Sequence, residues 1–203
     1  MAAFAYILSD IRTATRDLLN EATARFWTDA ELNGYINDGL REIAEFSGCI
    51  QNTDAKTTTA SARTVSFDGY DIAAIEYKPT TGRWTSLVQS DPLQNAQLVG
   101  TEPQRWFTGN GTATIEPTPD ATYNLNFYVN DVGVELTADA NTPAIPLAFR
   151  PLLIWYACYR AYQKEQNYGA ANLYHQIYRN EMIYLTQDNI TNVPTARSEM
   201  KYT

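Results

Sequence analysis

Histidine and cysteine are almost missing from this chain. Its 203 residues include one histidine, His175, and two cysteines, Cys49 and Cys158. Zinc sites and Cys–His nucleophile systems are built from clusters of these side chains, so neither has the material to form. His175 has no Cys, Asp or Glu at a metal-ligand spacing and reads as a surface or half-buried helix residue. Cys158 falls inside an apolar helical pattern, and both cysteines read as small buried hydrophobes rather than as a disulfide. Basic runs are absent as well. Fifteen Lys and Arg stand against 23 Asp and Glu, a formal charge of −8, whereas gripping phosphate backbones takes clustered Lys and Arg. No apolar stretch approaches the ~18 residues of a membrane span, and no basic n-region with an apolar core opens the chain, which predicts a soluble protein without an export signal. Phosphate-cradling glycine loops are missing too. Gly109-Asn110-Gly111 lacks a following Lys-Ser/Thr and lies between strand patterns, as a hairpin turn would. These absences leave no catalytic, metal or cofactor-binding residue to nominate.

What remains is an ordinary globular balance, 44% hydrophobic and 19% charged, enough for one sizeable core or for one core and a smaller module. The acidity is uneven. Residues 50–145 hold eleven acids against five bases.

Phe4, Ile7, Leu8, Ile11, Leu18 and Leu19 are spaced as one helix face. The clearest local signal follows, in Trp27-Thr28-Asp29-Ala30-Glu31-Leu32. Thr28 and Glu31 stand three apart as a capping box, while Trp27 and Leu32 occupy the two positions of a hydrophobic staple. A second helix therefore starts at Thr28 and stops at Ser47-Gly48. From Gln51 the composition shifts to Thr, Ser, Val and Tyr. Strands are predicted at 63–67, 72–77, 84–88, 112–116 and 123–129, and a short helix at 91–98, capped by Asp91 with Pro92 following. The 123–129 strand alternates best, with Tyr123, Leu125, Phe127 and Val129 on one face. A helical pattern returns near Pro146 and continues to Lys164. Asn167 then caps a fourth helix, and the short connection predicts an antiparallel hairpin. The stretch 187–203 contains Pro194 and has no period.

The expected class is α+β: a four-helix bundle interrupted by a β-rich, sandwich- or barrel-like insert, with an extended C-terminal tail. Residues 1–48 and 143–186 supply the two halves of the bundle, 49–142 the insert and 187–203 the tail. Aromatics are the unusual ingredient, with 14 Tyr, 7 Phe and 4 Trp. The tyrosines of the last two helices cannot all face one small core. Tyr159, Tyr162, Tyr174 and Tyr178 are therefore candidates for a subunit interface, against the plainer reading of core-edge packing. Trp84 and Trp106 suggest sheet packing first and a sugar-stacking platform second. Acids of the insert fall in turn contexts such as Asp68-Gly69, which disfavours a glycosidase-type pair.

The order of elements resembles a known family, the head-to-tail adaptor (connector) proteins of tailed bacteriophages. The resemblance is carried by Trp27 to Leu32 with Tyr35-Ile36-Asn37 and Leu40-Arg41-Glu42-Ile43-Ala44. It is carried also by Ile145-Pro146-Leu147-Ala148-Phe149-Arg150-Pro151-Leu152-Leu153 and Tyr159-Arg160-Ala161-Tyr162, so that about half the chain is covered. The resemblance implies a structural virion protein of the neck, assembled in the host cytoplasm as a homo-oligomeric ring of twelve copies. Such a ring docks beneath the portal protein and offers a platform to a tail or nozzle protein, with DNA passing through without specific binding. No catalytic motif is there to carry over. The family's C-terminal segment extends to the portal; the matching stretch here offers Val193, Pro194, Arg197, Met200, Lys201 and Tyr202. Two physical features agree. An acidic wall avoids the phosphate contacts that would hold a sliding duplex, and a segment that orders on binding can wrap a large surface. A stopper, tail-terminator or tail-tube protein stays open as an alternative, as does a carbohydrate-binding module on the insert.

Overall fold

The computed structural model describes residues 6–91, 100–109 and 111–192. The class is α+β, with four helices and two sheets among the described residues. The chain divides into two compact units, one made of Met1–Ser47 with Gly133–Thr203, the other of Gly48–Val132.

The first unit contains α1 (Leu8–Leu18), α2 (Asp29–Ser47), α3 (Arg150–Lys164) and α4 (Tyr168–Asn192). A 3-10 turn, Leu147–Phe149, runs directly into α3, so Pro151 falls in the first helical turn, where its missing N–H costs nothing. Ring pairs step in opposite directions along the last two helices: Tyr162 on Tyr174 at 5.5 Å, Tyr159 on His175 at 4.5 Å, Tyr156 against Tyr178 at 5.2 Å. The two helices are therefore antiparallel. Asn167 caps α4, its Oδ1 accepting from the Ala170 N–H at 3.2 Å.

The expected four-helix bundle does not form. Helix α3 is a hub that packs on each of the other three, whereas α1 and α4 have no substantial contact with each other. Where α2 crosses α3, a Cβ on Gly39 would come within 2.9 Å of the Tyr156 ring, and the bare backbone lets the ring lie flat against it.

Residues 133–142, grouped with the insert by composition, run with the helical unit instead. This strap has no period because polar groups hold it. Asn37 is buried in α2, its Nδ2 donating to the Leu136 carbonyl at 3.1 Å and its Oδ1 accepting from the Leu136 N–H at 2.9 Å. Helix α1 has no side-chain cap. Its Leu8 and Ser9 N–H groups donate instead to the carbonyls of Asn141 and Asp139, at 2.9 and 3.1 Å, which satisfies two of the open donors of a helix start.

The second unit is a sandwich. One sheet has the order β1-β8-β3-β4, from Gln51–Thr57, Asn124–Asn130, Asp71–Lys78 and Thr85–Ser86; the other has the order β2-β7-β6-β5, from Thr64–Ser66, Thr112–Glu116, Arg105–Gly109 and Val88–Gln89. Ile75, Phe127, Leu125 and Tyr77 from the first sheet and Trp106 and Ile115 from the second belong to one buried cluster. The alternation expected of 123–129 is realised, with Leu125, Phe127 and Val129 at 1% exposure or less. The expected strand 84–88 is broken into two pieces that lie in different sheets. The ladder pairs Gly109 with Thr112, leaving 110 and 111 as the connection. The predicted helix at 91–98 lies almost wholly outside the described residues. Strand β1 was not foreseen: it pairs with β8 at the sheet edge and presents Asn52, Asp54 and Lys56 opposite the inward residues Val129, Phe127 and Leu125. Lys56 bonds Asp54 and Asp68 at 3.0 and 3.2 Å. Charges on the inward face of an edge strand hinder strand-to-strand aggregation.

Replacing Asn37 by Ala strands the Leu136 N–H and C=O without partners. A loss of about 2 kcal/mol is expected, read as a lowered urea midpoint at 222 nm; an unchanged midpoint would show that the strap is held some other way.

Candidate assembly surfaces

The α1–α2 corner is built from charges. Arg16 is 6% exposed; its Nη2 donates to the Asp29 carboxylate at 2.6 Å and to the Trp27 carbonyl at 2.9 Å. Glu21 accepts from three successive backbone N–H groups, of Arg25, Phe26 and Trp27, at 2.6, 2.9 and 3.2 Å. Those bonds and the neighbouring Arg16 charge hold its carboxyl below the usual range, against a desolvation that acts the other way. The loop 20–28 is thereby wrapped around fixed groups and delivers Trp27 and Thr28 to the start of α2.

At that start the Glu31 N–H donates to Thr28 Oγ1 at 3.2 Å, and the Thr28 N–H donates to Glu31 Oε2 at 2.9 Å. Both halves of a capping box are present. Trp27 and Leu32 are buried together with Leu19 and Ala161. The Trp27 indole N–H donates to the Ala161 carbonyl at 3.1 Å. Lys164, at the end of α3, donates to Glu31 Oε1 at 2.6 Å and to the Phe26 carbonyl at 2.9 Å, while its ammonium lies 4.8 Å from the centre of the Phe26 ring. The Lys164 bond is the main reason the Glu31 carboxyl is held down to about 2, with the Thr28 N–H next.

Four tyrosines were nominated for a subunit interface. Three of them, Tyr159, Tyr162 and Tyr174, are half-buried and stack along the α3–α4 seam; the Tyr162 hydroxyl donates to the Leu18 carbonyl at 3.3 Å. Tyr178 has no exposed surface. Its hydroxyl donates to Glu42 at 3.2 Å, and burial drives its pKa far up, so it ties α4 to α2. Exposed apolar side chains lie elsewhere: Phe46 in α2, and Tyr168, Leu173, Ile183 and Tyr184 in α4. These were missed because α4 carries apolar residues on more than one side, so its period marks no single face. Val193, Pro194, Arg197, Met200, Lys201 and Tyr202 lie outside the described residues. Helix α4 itself runs to Asn192, into the stretch expected to be extended.

Among the described residues no group of His, Cys, Asp and Glu could hold a metal ion, and no helix is long and apolar enough to cross a membrane. Neither cysteine is in a disulfide; burial pushes Cys158 up to about 12, which suppresses its thiolate. Trp106 is 1% exposed within the sandwich core, so it cannot share a sugar platform with the half-exposed Trp84. Trp84 alone borders a groove of about 630 Å³, together with Thr57, Thr64, Asn124 and Asn126.

Residues 6–198 match the SU10 adaptor protein family. The chain belongs to this family, one of phage head-to-tail adaptors, and is a phage adaptor structural protein. No curated protein matches it.

The Glu31 carboxyl is depressed from 4.5 to about 2, so its contribution to stability is present above pH 4.5 and lost as pH falls toward 2. Glu31→Gln is therefore expected to be less stable than wild type at pH 7, with the gap closing across that window in helix-monitored melts. A gap that stays constant down to pH 2 would remove Glu31 from the corner's electrostatics.

Proposed function

We propose that the chain is a structural adaptor in the neck of a tailed-phage virion, forming a ring beneath the portal and joining the DNA-filled head to the tail. The observation that carries this reading is the family match, which runs through both units. The helical unit is the ring-forming body, with contacts between copies drawn from α3 and α4 and including the outer edges of Tyr159, Tyr162 and Tyr174. Twelve copies, the number the family resemblance suggests, would each bring the acid-rich segment 50–145 to the assembly. That charge keeps the channel from retaining phosphates, so DNA slides past without specific binding. The segment beyond Asn192 is the portal contact, with Val193, Met200 and Tyr202 as apolar anchors and Pro194, Arg197 and Lys201 between them. A tail or nozzle protein docks on the opposite side. The chain acts by binding at each step.

Truncation after Asn192 removes the proposed portal segment and leaves the helices intact. The truncated chain is expected to bind its cognate portal about tenfold more weakly or worse in sedimentation or surface-binding measurements, with an unchanged melting curve. Equal docking by the truncated and intact chains would remove the tail from the portal contact.

A further inference from the structure

Helix α4 has two apolar stripes. Ala171, Tyr178 and Met182 form the buried one. Leu173, Ile177 and Tyr184 form a second, since positions four and eleven residues on return to the same side of a helix; Leu173 and Tyr184 are 56% and 61% exposed, with the half-buried Ile177 between them. One flank of this stripe carries amides, the exposed Gln176 and Asn180. Between 168 and 187 the only charged residues are Arg179 and Glu181. On a chain of −8, this is a face where a second, equally acidic copy meets least repulsion.

A different apolar patch lies on another flank of the same helix. Phe46 and Ile183, 53% and 40% exposed, line a shallow cleft between α2 and α4 together with Glu42, Arg179 and Met182. Arg179 and Glu181 are two residues apart and so point about 160° away from each other round the helix. Arg179 belongs to the cleft, whereas Glu181 stands one turn beyond Ile177, beside the outer stripe. Both are exposed, and neither is in an ion pair with another of the described residues.

From these observations we infer that the Leu173–Ile177–Tyr184 stripe of one copy seats against the Phe46–Ile183 cleft of the next, with Glu181 of the first copy facing Arg179 of the second. Two unlike patches on one chain make a heterologous contact, which propagates around a ring rather than closing a dimer. The inference rests on the ring reading above and adds α2 and the outer face of α4 to the contact between copies.

The test uses the full-length chain, alone and with its portal, in sedimentation velocity over a range of concentrations. Leu173→Glu with Tyr184→Glu disables the stripe, and Phe46→Glu disables the cleft. All three positions are exposed, and helix content and melting should match wild type. Each variant is expected to lose assembly between copies, by about tenfold or more in the concentration required. Mixing the two should give discrete 1:1 dimers and nothing larger, because only one intact stripe and one intact cleft remain. Glu181→Arg alone should weaken assembly, and the Arg179→Glu, Glu181→Arg pair should restore it. If the stripe and cleft variants assembled like wild type but lost portal binding, the faces would belong to the portal; the inference would fail while the adaptor reading stood. Wild-type chains that never assemble, even with portal present, would overturn the ring and this contact together.

Discussion

A single buried guanidinium organises the helical unit. Arg16 cannot be taken out of water without partners, and those it finds are Asp29, at the start of α2, and the Trp27 carbonyl just before it. Satisfying that charge fixes the path of the loop 20–28, assisted by the three N–H groups gathered on Glu21. The path puts Trp27 under Ala161 and Glu31 within reach of Lys164, so the end of α3 is set by the same corner that starts α2. From there the chain turns within residues 165–167 into α4. The long outer helix is thus aimed from a corner of α1.

Features that depend on neighbours in sequence were legible in advance. The capping box needs only Thr28 and Glu31 three residues apart, and the β8 alternation needs only its own side chains. Features that depend on distant partners were not. Strand β1 reads as polar because Asp54 and Lys56 satisfy each other at a sheet edge, and the strap at 133–142 has no period because Asn37 and the start of α1 hold its backbone. The bundle expectation failed because helix faces can be counted in a sequence whereas the packing hub, α3, cannot. The contact of Tyr178 was hidden for a related reason: a tyrosine at a helix seam looks the same in sequence whether its hydroxyl meets solvent or Glu42.

The two units divide the properties an adaptor needs. The helical unit combines a rigid frame, cross-tied at its corner, with apolar side chains left over on α2 and α4. The sandwich completes its own core and guards one edge with inward charges, so it can carry acidity without recruiting stray strands.

The most direct measurement is electron cryomicroscopy of the purified chain mixed with its cognate portal. A closed ring of copies on the portal, with α4 of each copy against the helices of the next, is the expected image. Isolated copies, or a ring whose neighbours meet only through the sandwich units, would contradict the account.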